Sequence, residues 1–260
     1  MSVPPLTWLY VPADRPDRVE KALASRAHAV IVDLEDGVPA DAKTRARDGL
    51  PALLGERRDK PVFVRINAGS DADLGAVAQL AIDGVFVPKL ERTDDVPAGV
   101  RVHALIETAL GLESAFALAS HPGVHGISLG EADLRSQTGA LEAGLDWARS
   151  RVVNAAVAAG LPRPPQSVYP HVRDLDGLAV SCRRGRELGH LGRSAIHPDQ
   201  LRVIEQAYLP TPAEVATARE TVERLGEVAV GTLADGAFVD PAMLGGARQV
   251  VALAERYGTA

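Results

Sequence analysis

Eight short apolar stretches of β-forming character punctuate this chain, each closing on polar or charged residues and each followed by a segment able to form a helix. They run Leu6–Val11, Val30–Leu34, Val62–Ile66, Gly84–Val87, Val102–Ile106, Gly126–Leu129, Ser167–Tyr169 and Ser194–Ile196. At or just beyond their ends stand Asp14-Arg15, Glu35-Asp36, Asn67 behind Arg65, Lys89, Glu107, Glu131 with Asp133, His171 and His197. Strict β–α alternation predicts parallel strands. In a closed parallel barrel all strand C-terminal ends point to one face, so this spacing gathers carboxylates, arginines and histidines into a single mouth. The expected fold is therefore an α/β (β/α)8 TIM barrel, with a doubly wound open sheet as its rival.

Helix signals fill the gaps. Arg15–Arg26 has Pro16 near its start and Val19 and Leu23 one turn apart. Pro39–Leu54 opens on proline and stops before Gly55. Asp71–Ile82, Leu112–Ser120, Glu142–Ala159, Leu175–Leu188 and Pro198–Ala207 continue the pattern. The tail differs: a helix over Pro212–Leu225, an apolar stretch holding Asp235-Gly236 that suggests a tight turn or hairpin, and a last helix from Pro241 to Tyr257. Residues 1–209 are expected to form the barrel, and residues 210–260 a C-terminal helical lid or oligomerisation arm.

A chain of 260 residues suits one such barrel, which typically needs about 250. A formal charge of −6 argues against a nucleic-acid surface while leaving room for a local basic pocket. Cys182 is the single cysteine, which excludes an intramolecular disulfide and a cysteine metal cluster. The start MSVPPLTWLY lacks the charged and apolar regions of a secretory signal, and no 18-residue apolar run occurs. The expectation is a cytoplasmic protein with no membrane partner.

Two carboxylates follow apolar strands directly: Glu107 after Val102–Ile106, and Asp133 in GEADL. Such a pair, with water and substrate oxygens completing the shell, suits Mg²⁺; capping a helix or pairing with arginine is the plainer use. Arg65 shares a strand face with Phe63 and needs an anionic neighbour, supplied by Glu35, Asp36, a bound carboxylate, or a structural bridge to the Asp33–Asp36 cluster. That cluster holds three acids in four positions and itself implies a nearby cation. Tyr10, Arg15, Arg18 and Lys21 form the densest positive group, fit either for a phosphate or for solvent.

WLYVPADRP (8–16), VIVDLEDGV (30–38), VRINA (64–68), VPKLE (87–91), LIET (105–108), LGEADL (129–134), SAIHPDQL (194–201) and FVDPAML (238–244) together resemble the citrate lyase β-subunit-like branch of the HpcH/HpaI aldolase family. The resemblance implies a modified TIM barrel that cleaves or forms carbon–carbon bonds in hydroxyacyl-CoA thioesters such as malyl-CoA or citramalyl-CoA, with Mg²⁺. It implies Glu107 and Asp133 as metal ligands and Arg65 and Glu107 at the substrate. Tyr10 and Lys21 fall where relatives touch CoA, and Ile196 and His197 in a loop that meets the ligand. Asp240 resembles the catalytic base that a lid brings from a neighbouring subunit, which implies a homo-oligomer, trimer or hexamer. GEADL departs from the more frequent GAEDL, so only Asp133 carries over from it. Thr138–Trp147 is short, and Ala13-Asp14 stands where glycine-asparagine is frequent. A CoA-independent oxo-acid aldolase and a non-catalytic ligand-binding barrel are the alternative functions.

Overall fold

The computed structural model describes residues 3–227 and 230–259. They form two compact units, Pro5–Ile204 and the residues from Glu205 onward with the first few of the chain.

The larger unit is a curled parallel sheet of the TIM-barrel type. Its strands are β1 (Thr7–Pro12), β2 (Ala29–Asp33), β3 (Val62–Arg65), β4 (Gly84–Val87), β5 (Val102–Ile106), β6 (Val124–Leu129) and β7 (Arg193–Ala195), in the order β6-β5-β4-β3-β2-β1-β7. Between them lie α1 (Pro16–Ala24), α2 (Lys43–Leu54), α3 (Asp71–Val77), α4 (Ala109–Glu113), α5 (Ala115–Ala119), α6 (Glu131–Thr138), α7 (Leu145–Ala158) and α8 (Leu175–Glu187); α9 (Asp199–Tyr208) follows β7. Every residue of β2, β4 and β5 is buried, as expected of strands covered on both faces.

One of the eight expected strands is reduced. Ser167–Tyr169 makes no ladder; Gln166 alone bridges to Arg193, through Gln166 N–H to Gly192 O (2.9 Å) and Ser194 N–H to Gln166 O (3.0 Å). Prolines at 164, 165 and 170 explain this, because each removes a ladder donor from a segment only a few residues long. Toward β6 the segment is tied by a side chain, Ser167 Oγ–H donating to Leu129 O.

Along the inner face each strand changes character. Trp8, Ile31, Phe63, Phe86 and His103 make a packed layer, with Phe86 stacked on the His103 ring (4.0 Å between centroids) and Trp8 5.4 Å from Phe63. Two residues further on, the same face carries Tyr10, Asp33, Arg65 and Leu105, and after another two Glu35 and Glu107. An apolar plug thus sits beneath a charged rim.

The smaller unit contains α10 (Pro212–Glu227), β8 (Gly231–Thr232), β9 (Phe238–Val239) and α11 (Leu244–Tyr257), with α10 packed on α11. β8 and β9 form the antiparallel hairpin expected around Asp235-Gly236; Gly236 has φ 88° and Asp235 Oδ1 accepts from Ala237 N–H (2.9 Å). Tyr257 Oη–H donates to Pro4 O (3.2 Å). No helix among the described residues is long and apolar enough to cross a membrane.

Candidate active site

A cavity of about 1120 Å³ opens at the C-terminal ends of the strands, its lining including Tyr10, Asp33, Arg65, Glu107 and Asp133 as well as Tyr169, His171, Ser181 and Arg193. The first five are placed by the strands and the loops that follow them. Asp33 and Arg65 are paired neighbours on β2 and β3, and Arg65 grips Asp33 with Nε (2.7 Å) and Nη2 (2.6 Å). Its Nη1 lies 2.7 Å from Glu35 Oε2, and its Cζ 5.1 Å from the centre of the Tyr10 ring. The anionic partners Arg65 required are therefore Asp33 and Glu35. Burial opposes the guanidinium charge, yet the hydrogen bonds and charge of Asp33, then Tyr10 and Glu35, hold its pKa above the ordinary arginine value. Asp33 also accepts from the N–H groups of Glu35 and Gly37 (both 2.9 Å), and a Cβ at Gly37 would strike its Oδ2.

Glu107 closes β5 and is buried. Burial, reinforced by Asp133 and Glu35, pushes its carboxyl up to about 7 against the opposing hydrogen bond from Lys89 N–H to Oε1 (2.8 Å). Lys89 is, among the described residues, the non-glycine one with positive φ (51°), a turn that aims its N–H at Glu107 while Nζ comes 3.7 Å from Glu35 and 3.6 Å from Asp133. One cation thus stands among three carboxylates. Glycine at 130 is required because a Cβ there would collide with the Glu107 side chain.

The residues present fit a magnesium ion. Glu107 Oε2 takes no hydrogen bond from the described residues, Asp133 is partly open to the cavity, and both side chains offer hard oxygen donors. No cluster of three or more His, Cys, Asp or Glu poised for a metal occurs among the described residues. A pair suffices for Mg²⁺, which keeps several waters and takes one or two carboxylates plus ligand oxygens. Glu131, left outside the metal set by its place in GEADL, has both oxygens on Arg149 (2.9 and 2.7 Å).

The other expected residues are dispersed. Ile196 lines the cavity, but its N–H (2.9 Å) and that of His197 (3.3 Å) both donate to Gln200 Oε1, so neither is free for a ligand. Lys21 is exposed on α1 and outside the cavity lining. Asp240 lies in the smaller unit, where its Oδ1 accepts from Ala242 N–H (2.9 Å) at the start of the turn leading to α11. Residues not singled out as site members are Asp33, Glu35, Lys89 and Gly130; DLEDG and VPKLE held the first three in plain view, whereas the Gly130–Glu107 contact left no local signal.

The HpcH/HpaI aldolase/citrate lyase family model matches residues 6–198. A (3S)-malyl-CoA thioesterase of Cereibacter sphaeroides is 36% identical over 276 residues, spanning 95% of this chain and 93% of the relative. The mitochondrial citramalyl-CoA lyase of Rattus norvegicus is 26% identical, spanning 97% and 86%. Among solved structures, CitE from Mycobacterium tuberculosis in complex with magnesium, acetoacetate and coenzyme A superposes with a TM-score of 0.84 at 33% identity, covering 98% of this chain and 99% of that one.

Proposed function

Because the chain belongs to the HpcH/HpaI aldolase/citrate lyase family, we propose that it is a Mg²⁺-dependent carbon–carbon lyase acting on a hydroxyacyl-CoA thioester such as malyl-CoA or citramalyl-CoA. The observation that carries this reading is the pair Glu107 and Asp133 facing one cavity around the Lys89 ammonium, a place short of positive charge. Bound there, Mg²⁺ would supply Lewis acidity toward the hydroxyl and carboxylate oxygens of the ligand.

The chain's own residues take the remaining roles. Arg65 spends its Nε–H and one Nη2–H on Asp33, which fixes the plane of the guanidinium, and its Nη1, in ion-pair range of Glu35 (2.7 Å), keeps N–H groups for a ligand oxygen. Those donors would stabilise the thioester enolate that forms as the bond breaks. Asp240 takes the hydroxyl proton, brought by the C-terminal segment of a neighbouring copy in a homo-oligomer; the resemblance of FVDPAML supports that role. The electron pair of the broken bond passes to the thioester α-carbon, which a proton then quenches, giving an oxo acid and an acyl-CoA. Tyr10 and Lys21 meet the CoA moiety, and Ile196 and His197 border the ligand.

The thioesterase name of a relative spanning nearly the whole chain supports a second reading, hydrolysis of the same thioester. Incubation with malyl-CoA separates the two: a lyase yields glyoxylate and acetyl-CoA without free thiol, a thioesterase yields malate and free CoA thiol. The same assay with citramalyl-CoA looks for pyruvate and acetyl-CoA against citramalate and free CoA thiol, and absence of both product pairs from both thioesters overturns both readings. Asp240→Ala is expected to lower lyase turnover by about 10²–10⁴-fold, the range for a lost acid–base group, while thioester binding persists.

A further inference from the structure

Of the arginines that line this cavity, Arg65, Arg149 and Arg193 are not equivalent. Arg65 and Arg149 each place the Nε/Nη2 edge of the guanidinium on a carboxylate, Asp33 in one case and Glu131 in the other. Arg193, on β7, is only 4% exposed, and no carboxylate of the described residues pairs with it. Its Nη1 donates to Gln166 Oε1 (3.1 Å) and Ser181 Oγ (2.9 Å), both neutral, and the Tyr169 ring covers one face with its centre 5.4 Å from Cζ. Nε is buried without a partner, and Nη2 makes no hydrogen bond to the described residues.

An uncompensated guanidinium at this depth costs several kcal/mol, which a fold meets by pairing it or by keeping it for a ligand. The unpaired edge, Nε with Nη2, is the one whose two parallel N–H groups match the two oxygens of a carboxylate. With one face under an aromatic ring and Nη1 fixed on neutral acceptors, the site offers a single positive charge and a planar fork. That suits a monoanionic planar group better than a phosphate dianion.

We propose that Arg193, whose partners in this cavity are Gln166, Ser181 and Tyr169 and not Glu107 or Asp133, is the centre of a second anion subsite that takes the carboxylate of a small organic acid. The subsite stands on geometry separate from the metal pair and does not depend on the lyase reading. Gln166 and Ser181 hold the guanidinium in plane and Tyr169 roofs it.

The test is a thermal-shift titration of the Mg²⁺-free full chain with acetate and with malonate at constant ionic strength, with inorganic phosphate alongside, since a ligand of the folded state raises the midpoint by mass action. The wild type is expected to be stabilised progressively by the carboxylates, and Arg193→Met to weaken that response at least about tenfold, the loss of a charge-assisted bidentate contact. Ser181→Asp, which brings an internal carboxylate to Nη1, is expected to do the same and decides the matter should Arg193→Met not fold. A wild type indifferent to carboxylates, an unchanged response in the folded variants, or preference for phosphate overturns the subsite. With neither metal nor thioester present, the outcome is independent of whether the protein is a lyase.

Discussion

The inner face of the sheet carries two regions on the same strands, two to four residues apart. Beneath, Trp8, Phe63, Phe86 and His103 pack ring against ring; above, Asp33, Arg65, Glu35 and Glu107 carry charge in a cavity. The plug is held by area and close contact, and its histidine is neutral, its pKa lowered by burial to about 3. The rim is held by pairing, and it keeps an imbalance, with Glu107 pushed up to about 7 by burial and its acidic neighbours. The contrast teaches that this fold separates what keeps it folded from what it does. Residues that pack cannot easily be removed, and residues that carry the chemistry can.

Phe86→Ala tests the lower region and carries the largest expected effect. Phe86 is 1% exposed and touches Trp8, Phe63 and His103, so the truncation leaves a cavity costing about 3–5 kcal/mol. Urea unfolding measures the loss. At a temperature where the variant remains folded, Mg²⁺ affinity should match the wild type; a parallel loss of both would break the separation.

Glu107→Gln tests the rim. The amide oxygen can still accept from Lys89 N–H, and a buried, partly frustrated charge is removed, so the unfolding midpoint should not fall. Mg²⁺-dependent turnover should drop by more than about a hundredfold, equivalent to roughly 2.7 kcal/mol. Calorimetric Mg²⁺ titration checks the cause, because retained affinity would remove Glu107 from the metal set.

Much of this is legible in the amino-acid sequence, and for a physical reason. Period-two patterning says which residues share a face, so the rim of Arg65, Glu107 and the Asp33–Asp36 cluster, and the anion that Arg65 demanded, follow from sequence alone. What pattern does not carry is contact between distant segments. The Glu131–Arg149 grip joins residues 18 apart through two helices. The left-handed turn at Lys89 places an ammonium among acids that sequence order keeps apart. Arg193 looks ordinary in GRSAIHP, because only the fold reveals that its neighbours are neutral. The proline-flanked Ser167–Tyr169 shows the reverse error: its apolar character suggested a strand, while the missing N–H groups limited it to one bridge.

The smallest effect lies in the plug and depends on pH. His103 shares one hydrogen bond with Ser128 Oγ (2.7 Å), has no acid of the described residues paired with it, and has its pKa lowered by burial to about 3, against about 6.5 when unfolded. Below about pH 6.5 the unfolded chain takes up a proton that the folded protein refuses, so the contribution of His103 to stability is complete above that pH. It is lost as the pH falls toward about 3, at up to about 1.4 kcal/mol per pH unit. Between pH 6.5 and 5 the wild type should lose about 1–2 kcal/mol on this account. His103→Gln keeps a polar partner for Ser128 and cannot titrate, so its urea midpoint should fall less over the same interval. Carboxylates that titrate there cancel in the difference between the two proteins, and equal slopes would show that the plug takes no part in acid unfolding.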